Sequence, residues 1–234
     1  MPIRIEPLTD PTPEAILVGD PRRAFALAQA FTDEPKMSHL ARGLWGYVGR
    51  TPDGRGLTVQ STGSGGPAVA AVLSDLAEAG VETAVRMGTC ESVEGGPEPG
   101  EVFLITEAIA FDGAGLAVSG ERTDPADGPP SHEPDVELTE RLRVELGDRV
   151  SPEKVSSHDL VARLDEKIDT ETARAVIRDL QTSAFLATAA RFGIRAAAIL
   201  VVVESPAGDR LAEGEIEKSL IELWPGVAAA LGKL

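Results

Sequence analysis

The sequence predicts one α/β domain over residues 1–234, a mixed central β-sheet flanked by helices on both faces. Three observations carry this. Apolar runs of strand length alternate with helical periods along the chain, which is the pattern of an α/β fold. Several of those runs end in glycine-rich turns that open directly into helices. The most apolar run, Ala196–Val203, has almost no polar alternation and reads as a central strand buried on both sides. With 42% hydrophobic and 26% charged residues among 234, the composition is that of a chain that packs a core.

Taken in order, Ala15–Val18 is a short strand ending in Gly19-Asp20-Pro21, after which Ala24, Leu27, Ala28 and Phe31 recur at helical spacing. Leu44–Val48 and Leu57–Gln60 are extended segments flanking the turn Thr51-Pro52-Asp53-Gly54, a hairpin signal. Ser61–Pro67 (STGSGGP) opens a helix reaching about Glu78, with Pro67 in its first turn. Thr83–Met87 is a buried strand leading into Gly88-Thr89-Cys90, and Val102–Ile105 and Ala108–Phe111 continue the β pattern. Gly120–Pro134 concentrates proline and glycine and reads as a surface loop or lid, since the same composition resumes after it. Val136–Leu146 is helical, Val155–Ser157 a short strand, and Glu171–Phe192 contains a long alanine-rich helix. Glu215–Leu231 closes the chain as a helix.

Charge restricts function. With 22 basic and 38 acidic residues the net charge is −16, which opposes binding to nucleic-acid polymers or anionic membranes. It leaves room for a small anion wherever a few arginines and backbone N–H groups converge. No apolar run reaches the roughly 18 residues of a membrane span. MPIRIEPLTDPTPE lacks the basic and apolar regions of a secretory signal, so a cytoplasmic location is expected. The lone Cys90 has no internal disulfide partner, which fits a reducing compartment. Aromatic residues are only 4%, so a stacking platform for a base is scarcely available.

Three motifs bear on chemistry. Gly63-Ser64-Gly65-Gly66-Pro67-Ala68 matches G-x-G-x-x-A, but a dinucleotide site wants a carboxylate about 20 residues on. The next strand ends Val85-Arg86-Met87-Gly88 instead, so the turn borders some other ligand. Gly19-Asp20-Pro21-Arg22-Arg23 joins a strand to a helix, suited to an anion, or equally to a plain turn capped by Asp20. Arg86 lies inside an apolar strand, where it needs a negative partner: a bound anion shared with Thr89, or a structural carboxylate. Cys90 reads as a small buried residue with nothing nearby to activate it.

In combination these motifs resemble the hexameric nucleoside phosphorylase family. Gly19-Asp20-Pro21-x-Arg23, Arg42–Gly49 (RGLWGYVG), Thr62–Ala68 (TGSGGPA) and Val85–Cys90 (VRMGTC) follow that family's order and spacing. Glu101-Val102, Ile109–Gly115 and Phe185–Ile199 extend the likeness, and the Thr-Gly-x-Gly-Gly-Pro and Arg-Met-Gly-Thr forms are closest to its uridine phosphorylase branch. The resemblance implies phosphorolysis of a nucleoside to free base and (deoxy)ribose 1-phosphate. Gly19, Arg23, Arg86 and Thr89 would form the phosphate site, with Arg42 reaching in from a neighbouring subunit, so a dimer-based homo-oligomer up to a hexamer is implied. Arg86 and Glu204 would be catalytic, Glu204 as the acid near the base. Leu180 and Gln181 would meet the ribose, and Cys90, Glu91, Val161 and Arg163 the base. Nucleoside and phosphate are the partners, with no cofactor beyond phosphate as co-substrate and no metal.

The same comparison marks departures. Where the family has Glu-Met-Glu-Ser/Thr, this chain has Asp179-Leu180-Gln181-Thr182, so a neutral amide replaces the ribose-holding carboxylate. Glu204 stands in place of an aspartate, Glu91 in place of a glycine, and Arg4 or its neighbours where an N-terminal histidine is expected. In Ser156–Arg163 (SSHDLVAR) only Arg163 is left to match the pyrimidine-reading glutamine–arginine pair, no aromatic stands at Val161, and His158 reads as a loop histidine. Two other readings follow: a family member that binds phosphate or a phosphorylated sugar without turnover, and a nucleosidase that uses water, against which the retained arginines count.

Overall fold

In the computed structural model, which describes residues 8–122, 128–161 and 175–232, a single mixed sheet carries ten strands among those residues. The strands are β1 (Glu14–Val18), β2 (Asp33–His39), β3 (Gly46–Arg50), β4 (Gly56–Ser61) and β5 (Thr83–Ser92). They continue with β6 (Val102–Ala110), β7 (Ser131–His132), β8 (Ser151–Ser157), β9 (Ile177–Asp179) and β10 (Arg195–Glu204). The described α-helices are α1 (Pro21–Phe31), α2 (Gly66–Glu78), α3 (Gly113–Ser119), α4 (Val136–Leu146), α5 (Thr182–Phe192) and α6 (Glu213–Leu231).

β1 pairs in parallel with both β4 and β5, and β10 runs parallel to β5 from Arg195 to Glu204. β10 then pairs with β6, β6 with β8, β8 with β9, and β9 returns to β5, so five strands close a circuit. Alternation along the strands sorts the core into two layers, because successive side chains point to opposite faces. Ile16, Val18, Val85, Met87, Ile199 and Val201 face one way and pack with Phe31 of α1, Leu142 of α4 and Trp224 of α6. Ala15, Leu17, Ala84, Ala198, Leu200 and Val202 face the other and pack with Leu73 of α2 and Phe185 of α5. Helices therefore cover both faces, as expected. No helix of the described residues is long and apolar enough to cross a membrane.

Local chemistry sets the helix starts near the site. Asp20 caps α1, its Oδ1 accepting from the N–H groups of Arg22 (2.7 Å) and Arg23 (3.2 Å), with Pro21 pre-set in the first turn. Asp112 caps α3 through the N–H of Gly115, and Gly120 ends that helix at φ 77°.

Several expectations shift. The helix expected within Glu171–Phe192 is α5, which begins only at Thr182; Ile177–Asp179 is instead strand β9. Three residues qualify as a strand here because they pair with β5 on one side and β8 on the other, long-range partners that no local pattern reveals. Val102–Ile105 and Ala108–Phe111 merge into β6, with a register shift against β8 between Ile105 and Glu107. Asp33–His39 forms an unforeseen strand at the end of the sheet, and β8 starts at Ser151 rather than Val155. Within the expected loop, Ser131–His132 pairs with β6, while residues 123–127 lie outside the described residues.

Candidate functional site

The carboxyl ends of β1, β4 and β5 and the starts of α1 and α5 enclose a cavity of about 330 Å³. Parallel strands feeding helices leave such a crevice at their carboxyl ends, where helix N–H groups point outward. Gly19, Asp20 and Arg23 line it from the β1–α1 junction, Gly63 and Ser64 from the β4–α2 turn, and Arg86 and Thr89 to Glu91 from β5. Arg178 to Gln181 line it from β9 and the residues leading into α5, and Val203 from β10.

Arg86 is almost fully buried, and its charge is met by a carboxylate of the chain. Its Nη2 donates to Asp179 Oδ2 at 2.8 Å, and its Nε donates to Thr182 Oγ1 at 3.2 Å. The guanidinium folds over Gly88, where a Cβ would stand 2.2 Å from Nη1, so β5 carries glycine at that point. Asp179 in turn accepts from Ser157 Oγ (2.7 Å), from Thr182 Oγ1 (2.6 Å) and from the Thr182 N–H. Complete burial alone would push the Asp179 carboxyl up. The Arg86 charge and the hydrogen bonds from Ser157, Thr182 and Arg86 outweigh it and hold the group below the usual carboxylate value.

Two further arginines on the wall also face carboxylates. Arg23 Nε donates to Glu213 Oε1 at 2.7 Å, joining the start of α1 to the start of α6. Arg178 lies opposite Glu91 in the β9–β5 register, with its Nε 4.0 Å from Glu91 Oε2, and its Nη2 donates to the Leu160 carbonyl at 2.9 Å. Gln181 Nε2 donates to the carbonyl oxygens of Gly63 (2.8 Å) and Gly65 (3.2 Å). Burial, with Asp179 and Glu91 nearby, drives the Cys90 thiol well above the ordinary value against the opposing effect of Arg86. Among the described residues, no group of three histidine, cysteine or acidic side chains is placed to hold a metal ion.

The fold thus brings Gly19, Arg23, Arg86, Thr89, Cys90, Glu91, Leu180 and Gln181 to one cavity. Others of the expected residues stand apart. Arg42 sits exposed in the short turn Ala41–Gly43 with φ 60° and does not line the cavity. Glu204 ends β10 just past cavity-lining Val203, 3.8 Å from Arg210, and is itself off the wall. Val161 does not line the cavity either, and Arg163 and Arg4 lie outside the described residues. His158 follows β8, buried, with Nε2 2.9 Å from Ser156 Oγ and its ring stacked on Phe111 at 5.0 Å. The sequence names Asp179 only as the first position of the segment matched to the ribose motif and gives no role to Arg178. Their signal, a charged pair after Ile177, was read as part of a helix, where charge at solvent-facing positions is unremarkable.

Glycine turns and arginines lining one crevice at the carboxyl ends of the strands of a mixed sheet define an α/β protein with a polar cavity at that edge. Residues 13–224 match the Phosphorylase superfamily, and the chain belongs to that superfamily. A purine nucleoside phosphorylase of DeoD type from Geobacillus kaustophilus (strain HTA426) is 28% identical over 205 residues, covering 86% of this chain and 85% of that one. A uridine phosphorylase from Haemophilus influenzae is 34% identical over 100 residues, covering 43% of this chain and 39% of its own length. In fold, the chain is similar to the crystal structure of purine nucleoside phosphorylase from Toxoplasma gondii in complex with immucillin-H. The TM-score is 0.78 at 22% identity, over 94% of this chain and 90% of that one.

Proposed function

We propose that this chain is a nucleoside phosphorylase, cleaving the N-glycosidic bond of a nucleoside with phosphate to give free base and (deoxy)ribose 1-phosphate. The observation that carries the reading is the single cavity in which Gly19, Arg23, Arg86 and Thr89 meet Cys90, Glu91, Leu180 and Gln181. Guanidinium groups and the Thr89 hydroxyl suit a phosphate dianion, one oxygen of which attacks the anomeric carbon. As the C1′–N bond breaks, its electron pair leaves with the base and positive charge grows on the sugar, where the adjacent dianion stabilises it. Arg23, Arg86 and Thr89 clamp the phosphate, and a second copy of this chain adds Arg42. Glu204, one residue past cavity-lining Val203, would protonate the leaving base only by turning inward from Arg210. Uridine-type and purine-type relatives both match, so the test is a panel: uridine, inosine, adenosine and their 2′-deoxy forms, with and without phosphate. Phosphate-dependent release of base is the expected result, and its absence from every nucleoside rejects the reading.

One observation favours a second reading, binding without turnover. Gln181, which by resemblance stands where the family has a ribose-holding carboxylate, gives its amide to the carbonyl oxygens of Gly63 and Gly65 and brings no negative charge to stabilise a developing sugar cation. Tight phosphate binding by calorimetry with no base released from the panel would select it.

A further inference from the structure

The β4–α2 turn runs through two residues in the left-handed region, Gly63 (φ 73°) and Gly65 (φ 86°). Both turn their carbonyl oxygens onto one side chain: Gln181 Nε2 donates to Gly63 O at 2.8 Å and to Gly65 O at 3.2 Å, while Thr62 Oγ1 lies 3.4 Å from Oε1. Two carbonyl oxygens facing one group require donors, which an amide has and a carboxylate lacks. The end of β1 is tied to the same turn, the Thr62 N–H donating to Val18 O at 2.8 Å and Thr62 Oγ1 donating to it at 3.2 Å. A Cβ at Gly19 would stand 3.4 Å from Gly63 O and 3.9 Å from Gln181 Oε1. Gly19 belongs to the β1–α1 turn and Arg23 to the first turn of α1 that follows it, so the two backbone segments bordering that end of the cavity both approach one buried amide.

We infer that Gln181 is a positioning residue whose amide latches the Gly63–Gly65 turn against the Gly19 turn and thereby holds the anion end of the cavity in shape. The link to anion binding rests on the function proposed above; the latch itself does not. A carboxylate at this position faces two carbonyl oxygens and weakens the turn, whereas its neutral form donates one hydrogen bond and partly restores it. The charged groups sharing the cavity with position 181 are Asp20 and Arg23 from the start of α1, Arg86 and Glu91 from β5, and Arg178 and Asp179 from β9.

The experiment compares wild type with Gln181→Glu and Gln181→Met, the second matching the side chain in length without polar atoms. At pH 8 both variants should raise KM for phosphate about tenfold, with a smaller change in kcat, since the lost bonds hold the cradle in place. Relative to wild type at each pH, Gln181→Glu should recover as pH falls to about 5.5, whereas Gln181→Met should not. Amide hydrogen exchange across residues 62–66, taken as protection relative to wild type at the same pH, reads the latch without turnover: protection is lost in both variants at pH 8 and regained at low pH only in Gln181→Glu. Exchange unchanged in both variants overturns the inference, and so does a Gln181→Glu enzyme that equals or exceeds wild type at pH 8. Should no protein release base from any nucleoside, the phosphorolysis reading falls alone. Exchange then decides the latch, accelerated exchange supporting it and unchanged exchange rejecting it.

Discussion

Arg86 shows how one residue poses a question that only its surroundings answer. An arginine buried in an apolar strand needs a counter-charge, and the sequence left a bound anion and a structural carboxylate as alternatives. Asp179 is that carboxylate, fixed by Ser157 and Thr182 so that its position does not depend on a ligand. Removing one partner of a buried pair leaves the other charge unmet. Asp179→Asn should therefore cost about 3–5 kcal/mol in denaturant unfolding at pH 7. The pH dependence has a definite sign. The folded-state value of Asp179 is depressed, so its contribution is fully present above the unfolded carboxylate value near ~4 and is lost as pH falls through the folded value. Unfolding titrations below about pH 4 should show that loss in wild type and not in Asp179→Asn, and identical acid limbs would contradict the assignment.

Elements set which charges meet at the cavity mouth. The starts of α1 and α6 face each other there, and Glu213 supplies Arg23 with an anion of the chain's own. Glu213 is nearly half exposed and has room to withdraw, whereas Asp179 is enclosed by donors from Arg86, Ser157 and Thr182, so a phosphate bound as proposed would compete with Glu213 for Arg23. Glu213→Gln should lower the dissociation constant for phosphate about threefold by calorimetry, the scale of an exposed ion pair. An unchanged or weaker affinity would refute the competition. The sequence disclosed most of the elements on this side: β1 and the capped start of α1, the glycine turn with Pro67, and the apolar run of β10 all carry strong local signals. β9 carries almost none. Ile177-Arg178-Asp179 is a strand only because β5 and β8 stand on either side of it, and without that strand neither Arg178 on the cavity wall nor the pairing of Asp179 with Arg86 is legible.

At the scale of the whole molecule, a net charge of −16 surrounds a cavity that the family's chemistry asks to bind an anion. Within one chain the arginines on its wall face carboxylates, and Arg42 lies elsewhere, exposed. A second copy supplying Arg42 adds a cation without one of these carboxylates. Mixing inactive Arg42→Ala and Arg23→Ala chains, unfolded and refolded together, should then restore about a quarter of wild-type activity, the share of intact sites on random pairing. No recovery, with dimers formed, would remove Arg42 from the site. The sequence by itself determined the family, the alternation of strands and helices, and the glycine turns and arginines that line the cavity, because glycine turns, caps and apolar periods are local properties of the chain. The tertiary structure alone decided the pairing of Arg86 with Asp179, of Arg178 with Glu91, and of Gln181 with the glycine turn. Those contacts join residues up to 118 positions apart, and only the closed circuit of strands brings them within hydrogen-bond or ion-pair range.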